Sequence, residues 1–286
     1  MQRLPGQETR DRADKAIARV GDLAQGGPLD PFLRTTLNFH PDRAIGGVPI
    51  LHRLARDGVY CSQFETGTSN GGLTAHPGGE RWLWERRIFD GAYDDATAAE
   101  RPKYGALNHR ERPVGAAPRF GSAHLRLAEH TLGRTTFCYP DSVFEPIHFA
   151  TAGRFDLDAR ADADLAAGLT DVLDDYVEAH VHGTIDLTAD VEAIVLDPCF
   201  RGTEVEHLAA ALPFPTQWHG GFRLDIDTMA AHPDYRGPEF VALGRRISEH
   251  GYLDPAAIGR ALATGRYDPQ SLKRVWHYVA RFGTSY

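Results

Sequence analysis

Apolar residues at helical spacing open the chain. Ala13, Ile17, Val20 and Ala24 recur every three to four residues, and the sequence Gly-Gly-Pro at 26–28 ends the pattern. Residues with this spacing form one face of an amphipathic helix, and glycine followed by proline stops such a helix. The pattern therefore predicts an N-terminal helix over residues 9–25.

Short alternating or apolar runs further along the chain are typical of strands. In TTLNFH, residues 35–40, Leu37 and Phe39 alternate with polar residues and a proline follows. Three more runs, VYCSQF, residues 120–127 and RTTFCY, have a similar length, and DVEAIVLDP is almost continuously apolar, as in a buried strand. The sequence therefore predicts a sheet of several short strands.

A further predicted strand carries three polar side chains in alternate positions. In the run YVEAHVHG, valine and alanine alternate with Glu178, His180 and His182. Successive side chains of a strand point to opposite faces, so these three would share one face, each about 6.5 to 7 Å from the next. The chain contains 14 histidines, and His180 and His182 are the two that lie closest together in the sequence.

Helices are predicted on both sides of the last strands. A helical stripe runs from Leu165 to Tyr176, and near the C-terminus Asp254 and Asp268 each precede a proline. An acid at the N-cap followed by proline at the first helical position is a helix start signal. The predicted class is α+β, in three parts: an N-terminal helical segment (1–34), an α+β domain of catalytic type (35–235) and a helical C-terminal module packed on it (236–286).

Composition and charge exclude several classes of protein. With 286 residues, 42% of them hydrophobic, the chain can bury a full-sized core. Its formal charge of −8 and its lack of basic runs disfavour nucleic acid, because phosphate neutralisation dominates such binding. No stretch approaches the ~18 apolar residues of a membrane span, and three widely spaced cysteines suit a reducing compartment. We therefore expect a cytoplasmic protein without a signal peptide, a membrane or a nucleic-acid partner.

The face with Glu178, His180 and His182 has two chemical interpretations. Two imidazoles and a carboxylate are ligands of catalytic zinc or iron sites. The three positions span about 13 Å on a regular strand, so at most two of them could bind one ion. Alternatively, Glu178 acts alone: a carboxylate can stabilise the oxocarbenium-like transition state in which a glycosidic bond breaks.

Several segments of the chain resemble a bacterial domain family of unknown function that is associated with the ADP-ribosyltransferase-like fold. The resemblance extends over roughly residues 35–235 and is carried by FHPDR, YCSQFETGTSNGG, YGALN, TTFCYPDS and DVEAIVLDPCFRGT. It implies a mixed, split antiparallel sheet with flanking helices. It also implies an enzyme that cleaves NAD at the nicotinamide bond and passes ADP-ribose to an acceptor or to water.

The resemblance also implies site residues. His40 on the first strand would bond a ribose, and Glu178 would orient the ribose 2′-hydroxyl and polarise the acceptor. The middle position stays open between Tyr60, which would stack on nicotinamide, and the hydroxyl cluster Thr66, Thr68 and Ser69. The loop ETGTSNGG, with Asn70, would close over the cofactor, and guanidinium groups for phosphate would come from Arg43 and Arg134.

The sequence thus favours an NAD-consuming enzyme, either an ADP-ribosyltransferase or an NAD glycohydrolase, that uses no metal ion. NAD is the expected partner, and the sequence does not identify the acceptor, such as a protein. A toxin or secreted effector is a role consistent with this activity. Two alternatives stay open: a metal-dependent hydrolase using His180 and His182, and a non-catalytic module whose C-terminal helices dock a partner.

Overall fold

The computed structural model describes residues 5–67 and 73–286. Its strands are β1 (Thr35–Phe39), β2 (Ala44–Ile45), β3 (Val48–Pro49), β4 (Val59–Tyr60), β5 (Lys103–Leu107), β6 (Ala123–Leu127), β7 (Thr135–Tyr139), β8 (His148–Thr151), β9 (Val177–Val181), β10 (Ile185–Asp186), β11 (Val191–Leu196), β12 (Thr216–Trp218), β13 (Leu224–Asp225) and β14 (Tyr252–Leu253). Its α-helices are α1 (Pro5–Leu23), α2 (Ile50–Asp57), α3 (Gln63–Thr66), α4 (Glu80–Ile88), α5 (Leu157–Ala166), α6 (Leu187–Asp190), α7 (Glu204–Ala209), α8 (Ile226–Ala230), α9 (Pro238–Ile247), α10 (Pro255–Ala263) and α11 (Pro269–Phe282).

Eight strands form one sheet in the order β12-β11-β6-β1-β5-β9-β7-β8. The pair β11–β12 is parallel and the other neighbours are antiparallel, so the sheet is mixed. Helices cover it, including the predicted N-terminal helix, which contacts β7, β8 and α4. The predicted α+β class with a mixed sheet is confirmed.

The sheet divides between β1 and β5. These strands pair only through Thr35 with Leu107 and Thr36 with Ala106. Beyond these residues β1 stays paired with β6, and β5 stays paired with β9. We call β12, β11, β6 and β1 the first half-sheet, and β5, β9, β7 and β8 the second half-sheet. The two halves separate from this point, and the space between them forms a cleft.

A glycine allows the two half-sheets to meet. A Cβ atom at Gly105 would lie 2.5 Å from Leu37 Cδ2 and 2.6 Å from the carbonyl oxygen of Thr36. With a side chain at this position, contacts this short would push the backbone of β1 away from β5, because one of the nearest atoms is a main-chain oxygen. Glycine at this position is therefore required by the close approach of the two strands.

Replacing Gly105 with alanine is expected to lower the free energy of unfolding by about 1–3 kcal/mol, the usual cost of overpacking. Urea titration followed by circular dichroism measures it. Gly133→Ala is the matched control, since nothing lies within 4 Å of the Cβ that it adds. Equal stability of the two variants would show that β1 and β5 do not approach as described.

The C-terminal helices pack as one module. The buried apolar cluster of this module includes Phe222, which lies before the predicted boundary at residue 236. Strand β13, also before this boundary, pairs with β14, which lies after it. Asp254 and Asp268 cap α10 and α11 through bonds to Ala257 and Ser271 main-chain N–H groups, as predicted. The indole of Trp276 donates to the carbonyl oxygen of Pro118 at 2.9 Å. This bond joins the module to the segment that precedes β6.

Three sequence predictions of secondary structure are wrong in part. The strand VYCSQF ends after Tyr60, because the Ser62 hydroxyl accepts from the N–H of Glu65 and starts α3. The helix predicted through Tyr176 ends at Ala166. Gly168 follows with φ +68°, a left-handed conformation that stops a helix, and Leu169 is 76% exposed.

The segment KYGALN, for which the sequence pattern predicted no strand, forms β5 in the middle of the sheet. In the part of the chain described here, no helix combines the length and apolar character needed to cross a membrane.

Candidate functional site

The cleft between the half-sheets is a concave site lined by both halves of the sheet. It encloses about 1210 Å³ of empty space, counted out to its open mouth. Side chains from β1, β5 and β9 line it together with α2 and the segment around α3. The polar groups that matter most for its chemistry are Glu178, Asp141, Arg81, Tyr104, Tyr60 and Lys103.

Glu178 lies on β9 with its carboxylate held by three groups. His180 Nε2 lies 3.0 Å from Oε1, the Ser142 hydroxyl donates to Oε2 at 3.1 Å, and Arg81 Nη1 lies 3.7 Å from Oε1. Burial raises the pKa of Glu178, but the bond with His180 and the charge of Arg81 outweigh it. The net pKa lies below its ordinary value, so Glu178 is ionised at neutral pH.

Arg81 on α4 supplies the positive charge of the site. Only 2% of the residue is exposed. Its Nη1 donates to Ser142 Oγ at 2.6 Å, and its guanidinium carbon lies 4.0 Å from the centre of the Tyr104 ring. A cation over an aromatic face is attracted by the ring quadrupole, most strongly where water is excluded. Arg81 is thus fixed between the tyrosine ring and the group that binds Glu178.

The carboxyl group of Glu85 holds the Tyr104 hydroxyl. The Tyr104 hydroxyl donates to Glu85 Oε1 at 2.8 Å, and Arg101 Nη1 donates to Glu85 Oε2 at 2.5 Å. Glu85 is fully buried, and this burial raises its pKa to about 6 despite the charge of Arg101. The ring of Tyr104 is therefore oriented by a carboxyl that titrates near neutral pH.

Glu85 is expected to make stability depend on pH. The pKa of Glu85 in the folded protein exceeds its ordinary value of 4.5, so ionisation of Glu85 lowers the free energy of unfolding. Relative to Glu85→Gln, the free energy of unfolding should fall by about 2 kcal/mol as the pH rises from 4.5 to 7, since one unit is worth about 1.4 kcal/mol. Chemical denaturation of both proteins at several pH values measures this. A constant difference between them would contradict the assignment.

Asp141 is the acid of the cleft whose pKa is affected most directly by the charge of Glu178. The main-chain N–H of Val143 donates to its Oδ1 at 2.9 Å, and the Tyr176 hydroxyl donates to its Oδ2. Burial and the nearby charge of Glu178 raise the pKa of Asp141. The two acids therefore have pKa values shifted in opposite directions, an arrangement typical of acid–base assignments in active sites.

His180 on β9 and His182 directly after it are fully buried. His180 Nδ1 and His182 Nε2 both contact the Thr136 hydroxyl, at 3.1 and 3.0 Å, and His182 Nδ1 contacts the Tyr93 hydroxyl at 2.8 Å. Their shared face is as predicted. The alternative in which His180 and His182 bind one metal ion is not favoured, because protein groups contact both nitrogens of His182.

A different group could in principle ligate a metal. Cys138 Sγ lies 3.8 Å from His180 Nε2 and 4.0 Å from Glu178 Oε1. Arg81 lies 3.7 Å from the same carboxylate oxygen. Since its guanidinium already places positive charge there, a second cation at this oxygen is disfavoured.

Comparison with known protein families assigns the chain. Its sequence matches the family described as "Protein of unknown function (DUF3626)" over residues 34–163 and 157–281. The protein belongs to the DUF3626 family. No curated protein matches the chain.

The structure of this DUF3626 protein brings only part of the predicted site together. Glu178, Tyr60 and Thr66 line one cleft. Burial raises the pKa of Tyr60 to about 12, so its phenol stays neutral. The predictions for Thr68, Ser69 and Asn70 lie outside the described residues.

His40, Arg43 and Arg134, which were predicted to bind the cofactor, are not among the residues that line the cleft. The His40 ring meets Trp276 edge-on at 5.0 Å, and burial lowers its pKa well below the ordinary value. It leaves β1 where the C-terminal module packs, which takes it out of the cleft.

The two arginines are also engaged elsewhere. Arg134 Nη2 donates to Asp190 Oδ2 at 2.7 Å, so its charge is neutralised. Arg43 belongs to the turn after β1, where its carbonyl oxygen accepts from the N–H of Ile50 and burial lowers the pKa of its side chain. Neither arginine is among the residues that line the cleft.

Five residues of the candidate site were missed from the sequence: Arg81, Lys103, Tyr104, Asp141 and Ser142. Tyr104 lies in YGALN, and Asp141 and Ser142 lie in TTFCYPDS, so the segments were noted without their roles. A signal for Tyr104 existed in the alternation of Tyr104 and Ala106 around Gly105. The position of Arg81 depends on contacts far away in sequence and gave no local signal.

Proposed function

We propose that this protein is an NAD-consuming enzyme, which transfers ADP-ribose to an acceptor or hydrolyses NAD, with Glu178 stabilising the transition state. The observation that carries the proposal is the ionised carboxylate of Glu178 on the wall of the cleft, held by His180, Ser142 and Arg81. A negative charge fixed in a water-poor site stabilises positive charge that develops on a nearby ribose.

The rest of the cleft supports a nucleotide-sized ligand. The cleft is open to solvent at its mouth, and its walls combine apolar side chains with a few charged and hydroxyl groups, as small-molecule sites do. Tyr60 and Phe120 offer aromatic surface for a base or for nicotinamide, and Arg53 and Lys103 offer positive charge for a pyrophosphate. We assign Tyr60 to nicotinamide, because the Tyr104 ring is already covered by Arg81.

The proposed reaction needs no redox step. The bond between ribose C1′ and the nicotinamide nitrogen breaks, and nicotinamide leaves as a neutral molecule with the bonding electron pair. The positive charge that remains on the ribose faces the carboxylate of Glu178. An acceptor or water then attacks C1′ and releases one proton.

Binding and turnover of NAD test the proposal together. Calorimetric titration should show one NAD site per chain, and chromatography should show release of nicotinamide. Labelled ADP-ribose found on protein would identify a transferase, and free ADP-ribose a glycohydrolase. Absence of both NAD binding and nicotinamide release in the folded wild-type protein would contradict the proposal.

The proposed chemistry involves no metal ion. We expect untagged protein purified without chelator to contain zinc, iron and manganese only far below one equivalent, and its turnover to survive treatment with chelator. Elemental analysis by mass spectrometry measures the content. A stoichiometric metal that is lost in Cys138→Ser would instead favour a hydrolase built on Cys138, Glu178 and His180.

A further inference from the structure

Four buried residues connect Glu178 to the opposite end of the second half-sheet. Starting from Tyr93, the contacts run through His182, Thr136 and His180 to the carboxylate, with successive distances of 2.8, 3.0, 3.1 and 3.0 Å. The strand register produces this chain, since Thr136 on β7 is paired with His180 on β9. At most 2% of any of these four residues is exposed.

The direction of each hydrogen bond in this series of contacts follows from the groups at its two ends. The carboxylate of Glu178 is ionised and only accepts, so His180 donates to it from Nε2. The other nitrogen of His180, Nδ1, then accepts from the Thr136 hydroxyl. A hydroxyl has one proton, so Thr136 must accept from His182 Nε2.

The far end of the chain is consistent with this direction. His182 Nδ1 accepts from the Tyr93 phenol, which burial keeps protonated by raising its pKa. Burial also lowers the pKa of both histidines, so both rings are neutral, and a neutral ring donates from one nitrogen and accepts at the other. Every hydrogen bond in the series from Tyr93 to His180 is therefore donated in the direction of Glu178.

We propose that Tyr93, His182, Thr136 and His180 form a positioning relay that holds His180 in the Nε2–H tautomer and thereby orients the Glu178 carboxylate. A hydroxyl placed between two imidazoles fixes both tautomers, as a second residue behind a catalytic group commonly does. The catalytic consequence of the relay rests on the proposed function, but the tautomer of His180 does not.

Several other groups also act on Glu178, and the test must separate them from the relay. They come from each element around the carboxylate: Arg81 from α4, Cys138 from β7, Asp141 and Ser142 from the segment after β7, Tyr104 from β5 and Tyr176 from the segment before β9. Thr136 contacts none of the reacting groups directly, so a change at Thr136 isolates the relay.

The experiment is nuclear magnetic resonance on the full chain, with wild type, Thr136→Val and Thr136→Ser. Imidazole ¹⁵N shifts report the tautomer of His180, assigned with His180→Gln, and side-chain ¹³C shifts report the pKa of Glu178. We expect the Nε2–H form in wild type and in Thr136→Ser. In Thr136→Val we expect a mixture of tautomers and a Glu178 pKa higher by about 1, the worth of one hydrogen bond.

Tyr93→Phe is the second variant, which keeps the test decisive if Thr136→Val does not fold. It removes the first donor of the relay and should also mix the His182 tautomers. An Nδ1–H tautomer of His180 in wild type would overturn the relay, as would folded variants with unchanged tautomers and an unchanged Glu178 pKa.

Turnover supplies the independent readout. If NAD is a substrate, the acidic limb of kcat/KM should move to higher pH in Thr136→Val and return in Thr136→Ser. If His180 has the proposed tautomer but the protein does not turn over NAD, the proposed function is wrong and the relay stands. If the protein turns over NAD but His180 is a mixture of tautomers in wild type, the relay is wrong and the proposed function stands.

Discussion

Glu178→Gln should lower the rate of nicotinamide release by about 10²- to 10³-fold, the usual effect of removing one preorganised electrostatic group from an active site. The amide keeps the shape of the side chain and can still accept from His180 Nε2, but it carries no charge to oppose the charge on the ribose. Binding of NAD should change far less than turnover. Chromatographic rates and calorimetric affinities, measured on the same preparations, separate the two effects.

Glu204→Gln is the matched control, since Glu204 is exposed at the start of α7, away from the cleft lining. It should keep wild-type turnover. Glu204 and Glu206 are another pair of acids close together in the sequence, so the control also tests whether an acid outside the cleft is required. Loss of turnover in Glu204→Gln with normal turnover in Glu178→Gln would move the site to α7.

Arg81→Met should lower the free energy of unfolding at pH 7 by about 3–5 kcal/mol. The change removes the cation that compensates Glu178 in a buried site, and breaking such a pair from one side leaves an uncompensated charge. It should also raise the pKa of Glu178. The double variant Arg81→Met with Glu178→Gln should recover part of the stability, because its buried charge is gone.

Arg86→Met on the same helix provides the comparison. The Arg86 side chain is 59% exposed and pairs with Asp94 at 3.3 Å, and an exposed ion pair is worth at most about 1 kcal/mol. Denaturant titrations of wild type, Arg81→Met, Glu178→Gln and the double variant form the cycle, and Arg86→Met is measured beside them as a fifth protein. Equal losses in Arg81→Met and Arg86→Met, or no recovery in the double variant, would show that Arg81 does not compensate Glu178.

The elements of the fold that could be predicted are those whose signals are local. Alternation marked β1, β6 and β9, and an acid before proline marked α10 and α11. Elements set by one polar contact or one glycine were harder. Ser62 converts a predicted strand into α3, and Gly105 hides the alternation of β5, although it is what lets β5 approach β1.

The candidate site could be predicted only where one strand carries it. Glu178 and His180 are close in sequence, so their shared face follows from the period of a strand. Arg81 reaches Ser142 across 61 residues of sequence, and no periodicity reports that contact. His40 has the expected place after β1, but the packing of Trp276 from the last helix decides where its ring lies.

A crystal structure of Glu178→Gln with NAD bound tests the central claim most directly. We expect the nicotinamide ribose in the cleft between the half-sheets, with its 2′-hydroxyl within hydrogen-bond distance of residue 178 and nicotinamide against Tyr60. NAD bound elsewhere on the protein, or bound in the cleft with its ribose remote from residue 178, would contradict the assignment of Glu178.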